Sequence, residues 1–176
     1  MKARLLANRW TVEITDFDIT TASNEEVQLI GNYVLTNLVV VLKDQHGLLP
    51  EEELEFCERI GVVQKLPEED KDRHINHMPI EMNGIFRVTG KKNKYGEGGL
   101  FGHKETLDWH ANQPSSPTRS PLIWLYGVEN TKGSKTSWIN NSLSYSELPE
   151  DFKKEIQDII MYCGFKAGKY TLSTFF

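Results

Sequence analysis

Hydrophobic and polar residues alternate in a short stretch near the start of the chain. Trp10, Val12 and Ile14 are separated by single polar residues. Side chains two positions apart lie on the same face of a β-strand, so this alternation predicts a strand with one buried face. A short β-branched run at residues 39–44 predicts a second, buried strand.

Between these two strands, apolar residues recur every three or four positions, which predicts an amphipathic helix. These positions are Val27, Ile30, Val34 and Leu38. Ser23 is followed three residues later by Glu26, which is the spacing of a capping box and predicts where the helix begins.

A second helix is predicted after residue 49. Pro50 suits the first position of a helix, and Gly61 follows the last apolar position. The positions spaced to face inward are Leu54, Cys57 and Ile60.

The second half of the chain mostly predicts strands, with one helix near its end. Residues 85–90, 120–129 and 135–140 are rich in β-branched and aromatic residues, which favour strands. A helix is predicted from residue 148 onward and ends at Gly164. Its apolar face would consist of Phe152, Ile156, Ile159 and Cys163. This order of elements predicts an α+β fold with a β-sandwich or jelly-roll portion.

Size and charge narrow the class of protein. A length of 176 residues, 39% of them hydrophobic, fits a single domain over residues 1–176. The net charge of −5 argues against nucleic-acid binding, which requires a basic face. The sequence contains neither a signal peptide nor an apolar run of about 18 residues, so we expect a cytoplasmic protein that does not bind membranes.

Two cysteines, Cys57 and Cys163, are too few for a disulfide framework and are interpreted as small core residues.

Residues able to bind a metal occur around His110. In a strand, His110 and Asn112 would lie on one face and could contact the same ion. A histidine two residues before an aspartate, with a distant histidine, forms the facial triad that binds Fe(II). Here Asn112 replaces the aspartate, and Asp108 on the same face is an alternative carboxylate. The short pattern alone also fits a hydrogen-bonded core histidine.

Two longer blocks contain the parts of a known family in order. Residues 32–63 comprise a helix, a hydrophobic strand, an Asp-Gln pair, a helix started by proline and a glycine turn. Residues 108–156 comprise Trp-His-x-Asn, a Ser- and Pro-rich stretch, a strand, a turn at residues 133–136, and a final segment at residues 145–153. Together these blocks resemble the taurine dioxygenase family, which are Fe(II)- and 2-oxoglutarate-dependent oxygenases.

The resemblance implies a fold, cofactors and roles for three residues. The fold would be a partial double-stranded β-helix (jelly roll) flanked by N-terminal helices, and the reaction would be hydroxylation of a small organic substrate. His110 matches the first metal histidine, Asn112 stands where the metal carboxylate would be, and Thr136 matches a threonine that contacts 2-oxoglutarate. Without the resemblance, Thr136 would be interpreted as an ordinary threonine in a strand. Trp109 and Trp138 are interpreted as core residues.

Asn112 is the first of two departures from the family pattern. Its neutral amide is a poorer ligand for a hard cation than a carboxylate, so we expect Fe(II) to be held more weakly.

The second departure concerns residues that the family places downstream, namely another metal histidine and an arginine that pairs with 2-oxoglutarate. No histidine follows His110, and no arginine follows Arg119. The upstream histidines lie in the wrong half of the chain for that role; they are His46, His74, His77 and His103. Of these, His74 and His77 are interpreted as surface residues in a loop. The chain therefore resembles the N-terminal portion of an oxygenase, and a truncated gene, a split protein or a degenerate relative would each explain this. The alternative function is a non-catalytic module that pairs with a second copy or another chain through an open sheet edge.

Overall fold

The computed structural model describes residues 1–65, 84–85, 88, 109–112, 120–129, 133, 135–160, 163–167 and 170–174. The chain divides into two compact units. The N-terminal unit contains residues 1–108 and 124–129, and the C-terminal unit contains residues 109–123 and 130–176. Both helices and strands are present, which agrees with the predicted α+β class.

A three-stranded sheet is the base of the N-terminal unit. Strand β2 (Thr11–Thr15) lies between β1 (Lys2–Leu5), to which it is antiparallel, and β3 (Val39–Leu42), to which it is parallel. The predicted first strand is confirmed, since Val12 and Ile14 are buried. Strand β1 was not predicted; it is only four residues long and exposed along its whole length, so it contributes no buried face.

Strand β3 follows the prediction in position but not in burial. It pairs with β2 so that Ile14 lies opposite Leu42, yet none of its four residues is fully buried. Val40 and Leu42 pack against the core, whereas Val41 points away from it and is exposed. A β-branched run suggested burial on both faces, but here only one face of the strand is well covered.

Helix α1 (Asn24–Asn37) connects the two parallel strands and begins where its sequence predicts. The Ser23 hydroxyl accepts from the backbone N–H of Glu26, and the Glu26 carboxylate accepts from the N–H of Ser23. This confirms the capping box. Val27 and Ile30 are buried, but Leu38 is not part of the helical face: it is the C-cap residue and is 50% exposed.

Leu38 adopts a backbone conformation that a leucine rarely takes, with φ 66° and ψ −40°. Only glycine enters positive φ without a steric cost. We therefore expect Leu38→Gly to be more stable than Leu38→Ala by about 1 kcal/mol, measured by urea denaturation followed by circular dichroism. The same pair of substitutions at Leu35, which is exposed within α1, is the control. At Leu35 the alanine variant should be more stable than the glycine variant by about 1 kcal/mol. The same order of stability at both positions would contradict the prediction.

Helix α2 (Pro50–Ile60) also has the predicted limits, with Pro50 in its first turn and Gly61 at its C-cap. The prediction of its inward face was only partly right. Phe56 is the buried residue, at 1% exposure, whereas the predicted positions are half-buried; these are Leu54, Cys57 and Ile60. The face is rotated because Phe56 fills the space beside two other rings. Its ring centroid lies 6.2 Å from that of Phe17 and 5.3 Å from that of Trp124.

The core of the N-terminal unit lies between the sheet and the two helices. Its buried apolar residues are Val12, Ile14, Ile19, Ala22, Val27, Ile30 and Phe56. Arg59 of α2 links this helix to the start of α1. Its guanidinium donates to the Ala22 carbonyl at 2.6 Å and to Asn24 Oδ1 at 2.9 Å.

The second half of the chain departs most from prediction. Neither residues 120–129 nor residues 135–140 form a strand, although both were predicted to. A strand requires a neighbour that pairs with its backbone, and no described segment does so. Most of the strand predicted at 85–90 lies outside the described residues.

The long helix predicted near the end of the chain is also wrong. Two short helices, α3 (Asn141–Ser146) and α4 (Glu150–Ile156), are followed by a hairpin of β4 (Cys163–Ala167) and β5 (Tyr170–Thr174). Cys163 and Gly164 therefore lie in a strand. Phe152 and Ile159 are exposed instead of packed. A helix with an uncovered apolar face gains little from extension, which explains why α4 ends after seven residues.

Candidate functional site

His110 and Asn112 lie in a described segment, residues 109–112, that is neither helix nor strand. Both side chains are exposed, so the interpretation of His110 as a buried core residue is wrong. The two side chains would share one face only if these residues formed a strand, and no strand is formed here. Asp108, the alternative carboxylate, lies outside the described residues.

The donor atoms in the described parts of the chain do not complete an Fe(II) site. His110 offers an imidazole and Asn112 a neutral amide oxygen. Among the described residues, no three histidine, cysteine, aspartate or glutamate side chains come together as a metal would require. Fe(II) oxygenase sites use two histidines and a carboxylate, so the described residues on their own do not fit this ion.

Thr136, the candidate 2-oxoglutarate contact, lies at the start of residues 135–140 and is exposed. These residues lead directly into α3, where the Asn140 side chain accepts from the Leu143 N–H at 3.0 Å and caps the helix. Thr136 therefore lies four residues before the N-cap of a helix, not in a strand. The prediction that Trp109 and Trp138 are core residues is wrong, since they are 66% and 49% exposed.

Of the upstream histidines, only His46 belongs to the described residues. It is exposed, and its Nε2 lies 3.9 Å from an Asp44 carboxylate oxygen. The other three fall outside the described residues, and they are His74, His77 and His103.

Gln45, the second residue of the Asp-Gln pair, has a structural role that the sequence did not reveal. Its amide nitrogen donates to the Phe17 carbonyl at 2.6 Å, and its amide oxygen accepts from the Ile19 N–H at 3.0 Å. The Tyr126 hydroxyl donates to the Gln45 carbonyl at 3.0 Å and accepts from the Leu48 N–H at 3.1 Å. These bonds join segments up to 81 residues apart, so no local pattern could have indicated them.

Cys57 is a half-buried free thiol on α2. Burial, together with the charges of Glu53 and Glu58, raises the pKa of this thiol to about 12. The thiol therefore stays protonated and is a weak nucleophile at neutral pH. This supports its interpretation as a small, inert residue at the edge of the core. Cys163 lies in β4, and its side chain is outside the described residues.

Comparison with known proteins identifies the family. The family model described as "Taurine catabolism dioxygenase TauD, TfdA family" matches residues 2–169. No solved structure matches the chain. Within the described residues, no helix is long and apolar enough to cross a membrane. The family typically uses Fe(II) and 2-oxoglutarate and acts on small molecules. Because the match covers nearly all of its residues, the chain belongs to the taurine catabolism dioxygenase TauD, TfdA family.

Proposed function

We propose that this chain is an oxygenase that hydroxylates a small organic substrate with Fe(II) and 2-oxoglutarate. The observation that carries this proposal is the family match over residues 2–169. The family implies a jelly-roll fold, and the three-stranded mixed sheet with its helices is consistent with that fold.

Three residues have proposed roles in this function. His110 is a metal ligand, Asn112 a weak ligand beside it, and Thr136 a contact to the 2-oxoglutarate carboxylate. Support comes from their place in the family's motifs and from their exposure, since ligand-binding groups must be reachable. All three belong to the C-terminal unit. When bound, Fe(II) would supply the oxygen activation that no protein side chain provides.

The proposal is tested by anaerobic titration of the chain with Fe(II), with and without 2-oxoglutarate. Calorimetry measures binding, and the visible charge-transfer band reports chelation of 2-oxoglutarate. We expect saturable Fe(II) binding that His110→Ala abolishes. Thr136→Val keeps the side-chain shape but removes the hydroxyl, so it should weaken 2-oxoglutarate binding and leave Fe(II) binding unchanged.

A second candidate function is a non-catalytic module that pairs with a second copy or another chain. The supporting observation is a set of exposed, large apolar side chains within residues 135–160, since extensive exposed apolar surface marks interaction sites. They are Trp138, Ile139, Leu143, Tyr145, Phe152, Ile159 and Ile160. An absence of saturable Fe(II) binding would contradict the oxygenase proposal and favour this second function.

A further inference from the structure

The loop between β3 and α2, residues 43–49, is held mainly by side chains. Between described residues, no backbone–backbone hydrogen bond involves residues 44–48. Asp44 and Gly47 have positive φ, at 61° and 68°, a region that most residue types avoid. Because buried backbone groups need hydrogen-bond partners, the half-buried parts of this loop depend on side chains for them.

The Gln45 side chain attaches this loop to residues 17–19. Its amide nitrogen donates to the Phe17 carbonyl at 2.6 Å, and its amide oxygen accepts from the Ile19 N–H at 3.0 Å. The same nitrogen donates to the Lys43 carbonyl at 2.7 Å, within the loop itself. Since the amide bonds through both its nitrogen and its oxygen, it keeps the backbone at Gln45 in one orientation.

A single hydroxyl attaches the same loop to a distant part of the chain. Tyr126 lies within residues 124–129, here called the strap. Its hydroxyl donates to the Gln45 carbonyl at 3.0 Å and accepts from the Leu48 N–H at 3.1 Å. A phenol can donate one hydrogen bond while it accepts another, so one oxygen atom is the partner of two backbone groups.

Trp124 attaches the strap to the N-terminal unit at a second point. Its ring centroid lies 5.3 Å from that of Phe56, the buried residue of α2. The backbone of the strap is neither helix nor strand. The strap belongs to the N-terminal unit, whereas the residues that precede and follow it in the chain belong to the C-terminal unit. Its side chains, and not a strand ladder, therefore hold it in place.

We propose that Tyr126 acts as a latch, so that the strap and the loop at residues 43–49 open and close as one unit. When the strap leaves, the Gln45 carbonyl and the Leu48 N–H lose their shared partner together. They recover hydrogen bonds only by turning toward water. Turning the Gln45 backbone carries its side-chain amide away from Phe17 and Ile19. Opening of the strap thus breaks bonds that Tyr126 does not itself make, and this device does not depend on the proposed oxygenase function.

The test is hydrogen exchange of two amides, measured by NMR on the whole chain as protection factors. The Leu48 N–H donates to the Tyr126 hydroxyl, whereas the Ile19 N–H donates to the Gln45 side chain. In the unmodified chain we expect equal protection of these two amides, and stronger protection of the Ile30 amide within α1. Equal protection of all three would overturn the proposal, because the loop would then open only when the whole unit unfolds.

Tyr126→Phe removes only the hydroxyl, and the informative amide is then that of Ile19, whose own partner remains. We expect its exchange to become about fivefold faster, the effect of about one hydrogen bond. Gln45→Met is the reciprocal variant, because it keeps the length of the side chain and removes the amide. It should speed exchange at Leu48 by a similar factor, although Tyr126 is still present.

Tyr33→Phe is the matched control. Tyr33 also packs against the core of the N-terminal unit, and among the described residues none bonds to its hydroxyl. It should leave the exchange of both amides unchanged. A change confined to Leu48 in Tyr126→Phe, or to Ile19 in Gln45→Met, would overturn the proposal, because the strap and the loop would then open independently.

Discussion

Replacement of Phe56 by alanine is expected to lower the free energy of unfolding of the N-terminal unit by about 3–5 kcal/mol. Phe56 is 1% exposed and packs against the Phe17 and Trp124 rings. Removing it deletes a large apolar side chain from the core and leaves a cavity beside two aromatic rings. Urea denaturation followed by circular dichroism at 222 nm measures the change.

The control for Phe56 is Leu35→Ala on α1. Leu35 is also a large apolar residue in a helix, but it is 67% exposed. Its replacement should change the free energy of unfolding by no more than about 0.5 kcal/mol. If both substitutions had similar effects, Phe56 would not be the centre of the core.

Replacement of Asn112 by aspartate is expected to tighten Fe(II) binding by roughly tenfold or more, the scale on which changes near a metal alter its affinity. The substitution keeps the side-chain length and returns a charged oxygen, which a hard cation prefers over a neutral amide. Anaerobic calorimetry of the two proteins measures the difference. This expectation rests on the proposed position of Asn112 beside the metal.

Asn141→Asp separates a ligand effect from a general effect of charge. Asn141 is exposed, belongs to the same unit and begins α3, where a negative charge is well tolerated. It adds the same charge at a residue that has no proposed ligand role. We expect no change in Fe(II) affinity for this variant. Equal tightening by both variants would place Asn112 away from the metal.

Local sequence patterns predicted the N-terminal unit well. The capping box at Ser23, the proline at the start of α2 and the alternation in β2 each act within a few residues, so their structural effects can be read from the sequence. The same patterns did not identify Phe56 as the centre of the core. Helical spacing selected the neighbouring face of α2, because spacing does not indicate which rings will arrive from other segments.

For the candidate site, the sequence predicted which residues belong to it but not the structure around them. The motif around His110 and the turn before Thr136 were recognised from order and spacing within the chain. Their expected setting in strands is not found at residues 109–112 or 135–140. Strand formation at such positions depends on a neighbour in the sheet, and β-propensity measures fit to a pleated surface more than an intrinsic preference.

The sequence by itself determined the family, the start of α1, the limits of α2 and the central strand. Each of these depends on short-range chemistry or on motifs in a fixed order. Only the tertiary structure decided that Phe56 lies at the core, that Tyr126 bonds to the loop before α2, and that the Trp124 ring packs against the Phe56 ring. These contacts join residues distant in the chain, and their energy depends on burial, which no local pattern specifies.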